Sequence, residues 1–188
     1  MTIFELPEIS AQILSDQIYA TTGPRSPGLH LSDIINDIES IFYPKEYNRK
    51  NNINNSWFAS LGFIWEQVLS LSFSWLLGKR PQEIICDGIA CSPDGINDEL
   101  ELVDEYKCTW RSTKTKPWDV WRWMIQIKAY CYISGYNIAR FHVLYVMGDY
   151  KFSGPQCLPF LIEFTDDELL SNWMMLVEHA KIMPKKGE

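Results

Sequence analysis

The stretch "WFASLGFIWEQVLSLSFSWLLG", residues 57–78, constrains the fold of this chain most. Its apolar run is broken only by small residues and by Glu66 and Gln67. It reads as a helix from about Trp57 to Leu77, buried on most sides and ended by the Gly78 and Pro81 breakers of "GKRP". No apolar run in the chain is long enough to be expected to span a membrane. A helix this apolar needs a broad surface to lie against, and the segments after it can supply one. "EIICDGIACS" reads as one strand and "ELELVDEYKCTW" as the next, joined through the turn "PDGIND". A helix over "WDVWRWMIQIKAYCYISGY" follows, stopping near Gly135. "ARFHVLYVMG" and "CLPFLIEF" read as two more strands, and "TDDELLSNWMMLVEHAKIM" as a last helix with Thr165 as N-cap. Ahead of the apolar run, "LHLSDIINDIESIF" reads as an amphipathic helix with Ser32 as N-cap, and residues 1–30 as irregular.

The order of elements is therefore α, α, β, β, α, β, β, α. It predicts an α/β fold, a mixed central β-sheet flanked by helices rather than a regular βαβ repeat. The length of 188 residues predicts a single domain, with its core over about 31–182. Hydrophobic residues at 46% and aromatics at 14% supply that core, and most of the eight tryptophans are expected in it.

A formal net charge of -7 excludes a protein held to nucleic acid by general basicity. It leaves room for a nuclease, because acidic metal ligands add negative charge and a local basic patch still binds phosphate. Five cysteines without a CxxC pair, and no signal peptide, predict reduced thiols and a cytoplasmic location. His30, His142 and His179 show no zinc spacing.

The chemistry concentrates in "SPDGINDELELVDEYK", residues 92–107. Side chains alternate along a strand, so Glu105 and Lys107 share a face about 6–7 Å apart while Asp104 and Tyr106 point the other way. Isolated charges are costly to bury unless they pair or bind a metal. If Asp94, at the preceding turn, is brought alongside by strand pairing, two carboxylates and main-chain carbonyls make a hard oxygen site suited to Mg2+ or Mn2+. Lys107 beside it can stabilise developing negative charge or orient a water. An acid-x-Lys pattern alone is expected about once by chance in a chain this acidic. A second one, "DYK" at 149–151, has no acidic turn at matching distance. The ordinary alternatives are a turn aspartate at 94 and a structural ion pair at 105 and 107. Downstream, "QIKAY" places Gln126 and Tyr130 on one helical face, with Arg122 one turn back. Upstream, "GFIWE" places Glu66 in an apolar helix, where it needs a cation: a metal, Arg122 or Lys107. The loop "RSTKTK" offers Arg111, Lys114 and Lys116 as a phosphate track.

"GFIWE", "SPDG", "DEYK" and "QIKAY", in this order, resemble the PD-(D/E)XK nuclease superfamily over roughly residues 25–145. More narrowly they are similar to the RecB-type and lambda-exonuclease-type branch of viral recombination nucleases. The resemblance implies a restriction-endonuclease-like core and Mg2+- or Mn2+-dependent hydrolysis of DNA that leaves a 5′-phosphate. It implies exonucleolytic cutting from duplex ends, 5′ to 3′, over an endonuclease or a silent DNA-binding subunit. Asp94, Glu105 and the Tyr106 carbonyl would be metal ligands, and Glu66 would reach the metal directly or through water. Lys107 would position the attacking water, Gln126 would orient Lys107, and Tyr130 would support the scissile phosphate. Arg25 would hold a 5′-phosphate near the start of the first helix, where Ser32 is counted with it among the DNA contacts, as are Arg111, Lys114, Lys116 and Arg122. A trimeric ring and a single-strand annealing partner are implied on the same basis. No iron–sulfur cluster is expected.

Overall fold

In a computed structural model of the chain, residues 26–45, 55–73, 76–151 and 154–183 are described, with the backbone alone for 55–60. The strand that carries the charges, β5 (Leu102–Thr109), is central to a four-stranded sheet of order β4-β5-β6-β7. β4 (Gly95–Asn97) pairs antiparallel with it, and β6 (Ile138–Tyr145) runs parallel on its other side. β7 (Gln156–Glu163) closes the order, antiparallel to β6. A parallel pair needs a crossover, and helix α3 (Trp121–Ser134) supplies it between β5 and β6. A second, three-stranded sheet has the order β1-β3-β2, from β1 (Leu29–His30), β2 (Ile84–Cys86) and β3 (Ile89–Cys91). The α/β class thus stands, with the strands shared between two mixed sheets.

Two local readings change. "EIICDGIACS" is a hairpin rather than one strand, because Asp87 and Gly88 both take positive φ, +48° and +77°. An Asp-Gly pair between two apolar trios is the signature of such a two-residue turn. The first helix, α1, spans Leu31–Phe42 with His30 as N-cap. Ser32 therefore lies in its first turn, because the Asp33 carboxylate reaches back to the His30 amide and closes the capping position there.

α1, α3 and α4 (Asp166–Ile182) pack together on one face of the larger sheet. Val103, Phe141 and Val143 meet Ile34, Ile127, Trp173 and Leu176 there, all buried. Thr165 caps α4 in a reciprocal box with Glu168, as expected. The apolar helix α2 (Asn55–Ser72) crosses the other face of the sheet. Leu69, Leu77 and Trp65 close on Tyr106, and the Trp65 indole donates to the His142 carbonyl at 3.3 Å. This helix is not buried on most sides. Ile64 and Val68 are exposed, and Leu71 is 80% exposed. No other described helix packs on this face, so only one stripe of α2 meets the sheet. Most of the tryptophans were expected in the core, but Trp118 is 55% exposed. Among the described residues, no helix is long and apolar enough to cross a membrane.

Candidate active site

β4 covers β5 only from Leu102 to Asp104. Beyond that point the Asp94 carboxylate replaces the missing strand, and its Oδ2 accepts the Tyr106 amide at 2.8 Å. A residue's N–H and C=O lie on the same edge of a strand, so the Tyr106 carbonyl faces the Asp94 side. Gly95 opposes Asp104 in the ladder, and this register fixes Asp94 beside Glu105 and Tyr106. The pairing that brings Asp94 in is the short β4–β5 hairpin, not a pairing with the strand before it.

Glu105 and Lys107 project toward α3. Glu105 is 1% exposed, with one carboxylate oxygen paired to the Lys107 ammonium. Its other oxygen, Oε2, is buried without a hydrogen-bond partner. Lys107 also donates to Gln126 Oε1 at 2.9 Å, and the Gln126 amide donates to the Tyr130 hydroxyl at 3.0 Å. Tyr130 is buried. Its hydroxyl therefore anchors Gln126 inside the fold rather than facing solvent. From the other side of the sheet edge, Glu66 on α2 pairs with Arg80. Sequence reading had offered Arg122 or Lys107 as its protein partner. Arg122 instead bonds Glu39 and Asn36 of α1 at 2.6 and 2.9 Å.

The Asp94 charge disfavours both neighbouring carboxylates. Burial pushes the Glu105 carboxyl well up, the Asp94 and Glu66 charges add to it, and Lys107 offsets only part. Burial also raises Asp94, against the pull of Lys107 and the Tyr106 amide. Glu66 is raised by burial and then by Asp94, with Arg80 opposing. Burial lifts the Tyr130 phenol well above its usual value, which keeps it neutral.

Asp104, on the opposite face of β5, holds this arrangement in place. Its carboxylate takes bonds from Arg140 at 2.6 and 3.0 Å, from the Gly78 amide at 2.7 Å, and lies 3.1 Å from the His142 ring. Burial raises this carboxyl, but those bonds outweigh it and hold it below the usual carboxylate value. Gly78 sits so close that a Cβ there would fall 2.5 Å from the Ile96 backbone. The chain leaving α2 is thereby clamped to β4, with Lys79 and Ile96 exchanging backbone bonds, and Arg80 emerges beside Glu66. Sequence reading missed both Asp104 and Arg80. The signal for Asp104 was a second acid in the same strand, on the face that the metal hypothesis did not use.

Among the described residues, no three carboxylate, imidazole or thiolate groups already converge as a cation cage. Glu66 is turned onto Arg80 and Glu105 onto Lys107. The donor set nevertheless fits a hard divalent cation. It offers an unpartnered buried carboxylate oxygen, three raised carboxylates of which Asp94 lifts the other two, and a strand carbonyl on the same edge. The remaining expected contacts lie apart. Ser32 is in the first turn of α1, while Arg111, Lys114 and Lys116 occupy the loop after β5. Arg25 is outside the described residues.

No protein-family model matches the chain, and none of the curated proteins does. Among solved structures, the chain is similar to SSO0001 with a TM-score of 0.52 and 16% identity, covering 90% of this chain and 82% of that one. It also matches a phage related exonuclease from Haemophilus somnus 129PT with a TM-score of 0.44 and 13% identity, covering 79% and 78%. At these identities the likeness to SSO0001 is one of fold alone.

Proposed function

We propose that the chain is a metal-dependent deoxyribonuclease that hydrolyses phosphodiester bonds. The observation that carries this reading is Glu105: a fully buried carboxylate, one oxygen on Lys107 and the other unpartnered, beside a second carboxylate that further disfavours its charge. A structural ion pair would not leave a buried acceptor open, since that costs about 1–3 kcal/mol. Asp94, Glu105 and the Tyr106 carbonyl would hold Mg2+ or Mn2+, with Glu66 alongside. When bound, the cation supplies Lewis-acid polarisation of the phosphate and offsets charge on the leaving oxygen.

The protein's own residues do the rest. An ammonium has three donors, and Lys107 commits two of them, to Glu105 and Gln126. The third is free to hold a water or a phosphate oxygen. Gln126, fixed in turn by Tyr130, stops the long lysine side chain from swinging away. Positive charge held at a fixed point near a developing anion is worth about 10²–10³ in rate.

Attack on the phosphorus from duplex ends, 5′ to 3′, extends the resemblance to recombination exonucleases. A ring of subunits and a single-strand annealing partner rest on that resemblance alone. The test is incubation with Mg2+ of two substrates, a linear duplex and a covalently closed circle. Degradation of the linear form alone is the expected result. Cutting of the circle would replace the exonuclease with an endonuclease, and no cleavage of either would remove the nuclease reading.

A further inference from the structure

The loops at the carboxyl ends of β5 and β6 are built as one rim. The Val146 amide donates to the Thr109 carbonyl at 2.9 Å and the Thr113 amide to the Gly148 carbonyl at 3.0 Å. The Tyr145 hydroxyl donates to the Thr115 carbonyl at 2.7 Å. Across this seam the Tyr150 hydroxyl donates to the Trp110 carbonyl. Both rings nonetheless stand out to solvent, Tyr150 at 57% and Trp110 at 39% exposed. Tyr150 takes φ +63°, which is uncommon for an aromatic residue and is held only where the surroundings impose it. The Asp149 carboxylate, bonded to the Lys151 amide at 2.8 Å, helps impose it. Arg111, Lys114 and Lys151 are exposed on the same two loops, and Asp149 is the single acidic residue of 110–116 and 146–151. In a chain of net charge -7 these two loops carry four cations against one acid, beside two outward aromatic rings.

We infer that this rim is a binding platform for single-stranded nucleic acid, with bases stacking on Trp110 and Tyr150 and phosphates meeting Arg111, Lys114 and Lys151. Cations alone would serve a duplex equally well. Rings serve only bases whose faces are uncovered, and every base has such a face once unstacked. The platform begins three residues beyond Lys107, about 10 Å along the strand direction. The inference rests on the nuclease reading: the strand that is cut, or its freed complement, leaves the site unpaired and is gripped at the rim. Trp118 lies in the turn after the rim, its ring packed edge-to-face on Phe160 at 5.8 Å.

The test is fluorescence anisotropy with the full chain in EDTA, so that no cleavage intervenes and the two readings fail separately. The probes are a short labelled oligothymidylate, an abasic oligomer of equal phosphate count, and a duplex of equal length. The wild type is expected to bind oligothymidylate on the order of tenfold more tightly than the abasic oligomer. Tyr150→Ser is expected to erase that preference while Tyr150→Phe, which keeps the ring, retains it. Lys114→Ala is expected to weaken both single strands alike and to lower the salt slope by about 0.7. An absent preference in the wild type, a preference untouched by Tyr150→Ser, or duplex binding lost in parallel with oligothymidylate binding in Tyr150→Ser would each overturn the platform. Cleavage by the wild type, measured separately in Mg2+, bears only on the nuclease reading.

Discussion

Glu105 carries a conflict that the proposed metal site would resolve. Its Oε2 is buried without a partner, and Asp94 and Glu66 both disfavour its charge. Replacing it with glutamine removes the charge and keeps the shape. In metal-free buffer Glu105→Gln is therefore expected to be more stable than the wild type, read as a higher midpoint in thermal unfolding. Mg2+ is expected to raise the midpoint of the wild type and not that of Glu105→Gln, because only the wild type offers the ion a complete set of oxygens. A Glu105→Gln protein less stable than the wild type, with an unchanged response to Mg2+, would make Glu105 an ordinary structural partner of Lys107. The alternation of side chains along β5 was enough to place Glu105 and Lys107 on one face from sequence. The open Oε2 was not legible, because it depends on what α3 does and does not bring to that point.

Among the elements, the join between α2 and β4 carries the greatest load. Sequence reading ended α2 by its breakers, Gly78 and Pro81. In the structure Gly78 is a point of close approach, its amide captured by an aspartate 26 residues away. A long-range capture of this kind leaves no local pattern, and Glu66 was assigned partners other than Arg80 for the same reason. Gly78→Ala is expected to cost about 1–3 kcal/mol through overpacking against Ile96. Asp104→Asn, which strips a half-buried Arg140 of its counter-charge, is expected to cost about 3–5 kcal/mol. Both are read from urea midpoints, and values within the range of a surface substitution would show that the clamp does not hold α2. By contrast, the Asp-Gly hairpin at 87–88 was legible and simply not used: two apolar trios around a turn dipeptide fit a hairpin better than one long strand. The capping position at His30 was settled by Asp33 reaching backward, a choice that a serine two residues further on obscures.

At the scale of the whole molecule, the two faces of the larger sheet are unequally covered. Among the described residues three helices pack on one face and α2 alone on the other, so the apolar run at 57–78 promised more burial than the described fold provides. The run's composition was visible, but the number of layers around it was not. The functional groups follow the same geometry. They gather at the edge of β5 where β4 stops, reached by α2 from one face and α3 from the other, with the basic rim continuing beyond the strand's end. Net charge therefore says little about the proposed substrate, because two loops carry four cations against one acid in a chain that is acidic as a whole.

The central claim is that Lys107 and its neighbours perform hydrolysis rather than hold the sheet together. The most direct test is the rate of Mg2+-dependent cleavage of linear duplex DNA by Lys107→Ala against the wild type, with circular dichroism confirming that both are folded. The account predicts that the substitution lowers the rate at least about 10²–10³-fold while the fold persists. Cleavage by Lys107→Ala at the wild-type rate, with contaminating nucleases excluded, would contradict it.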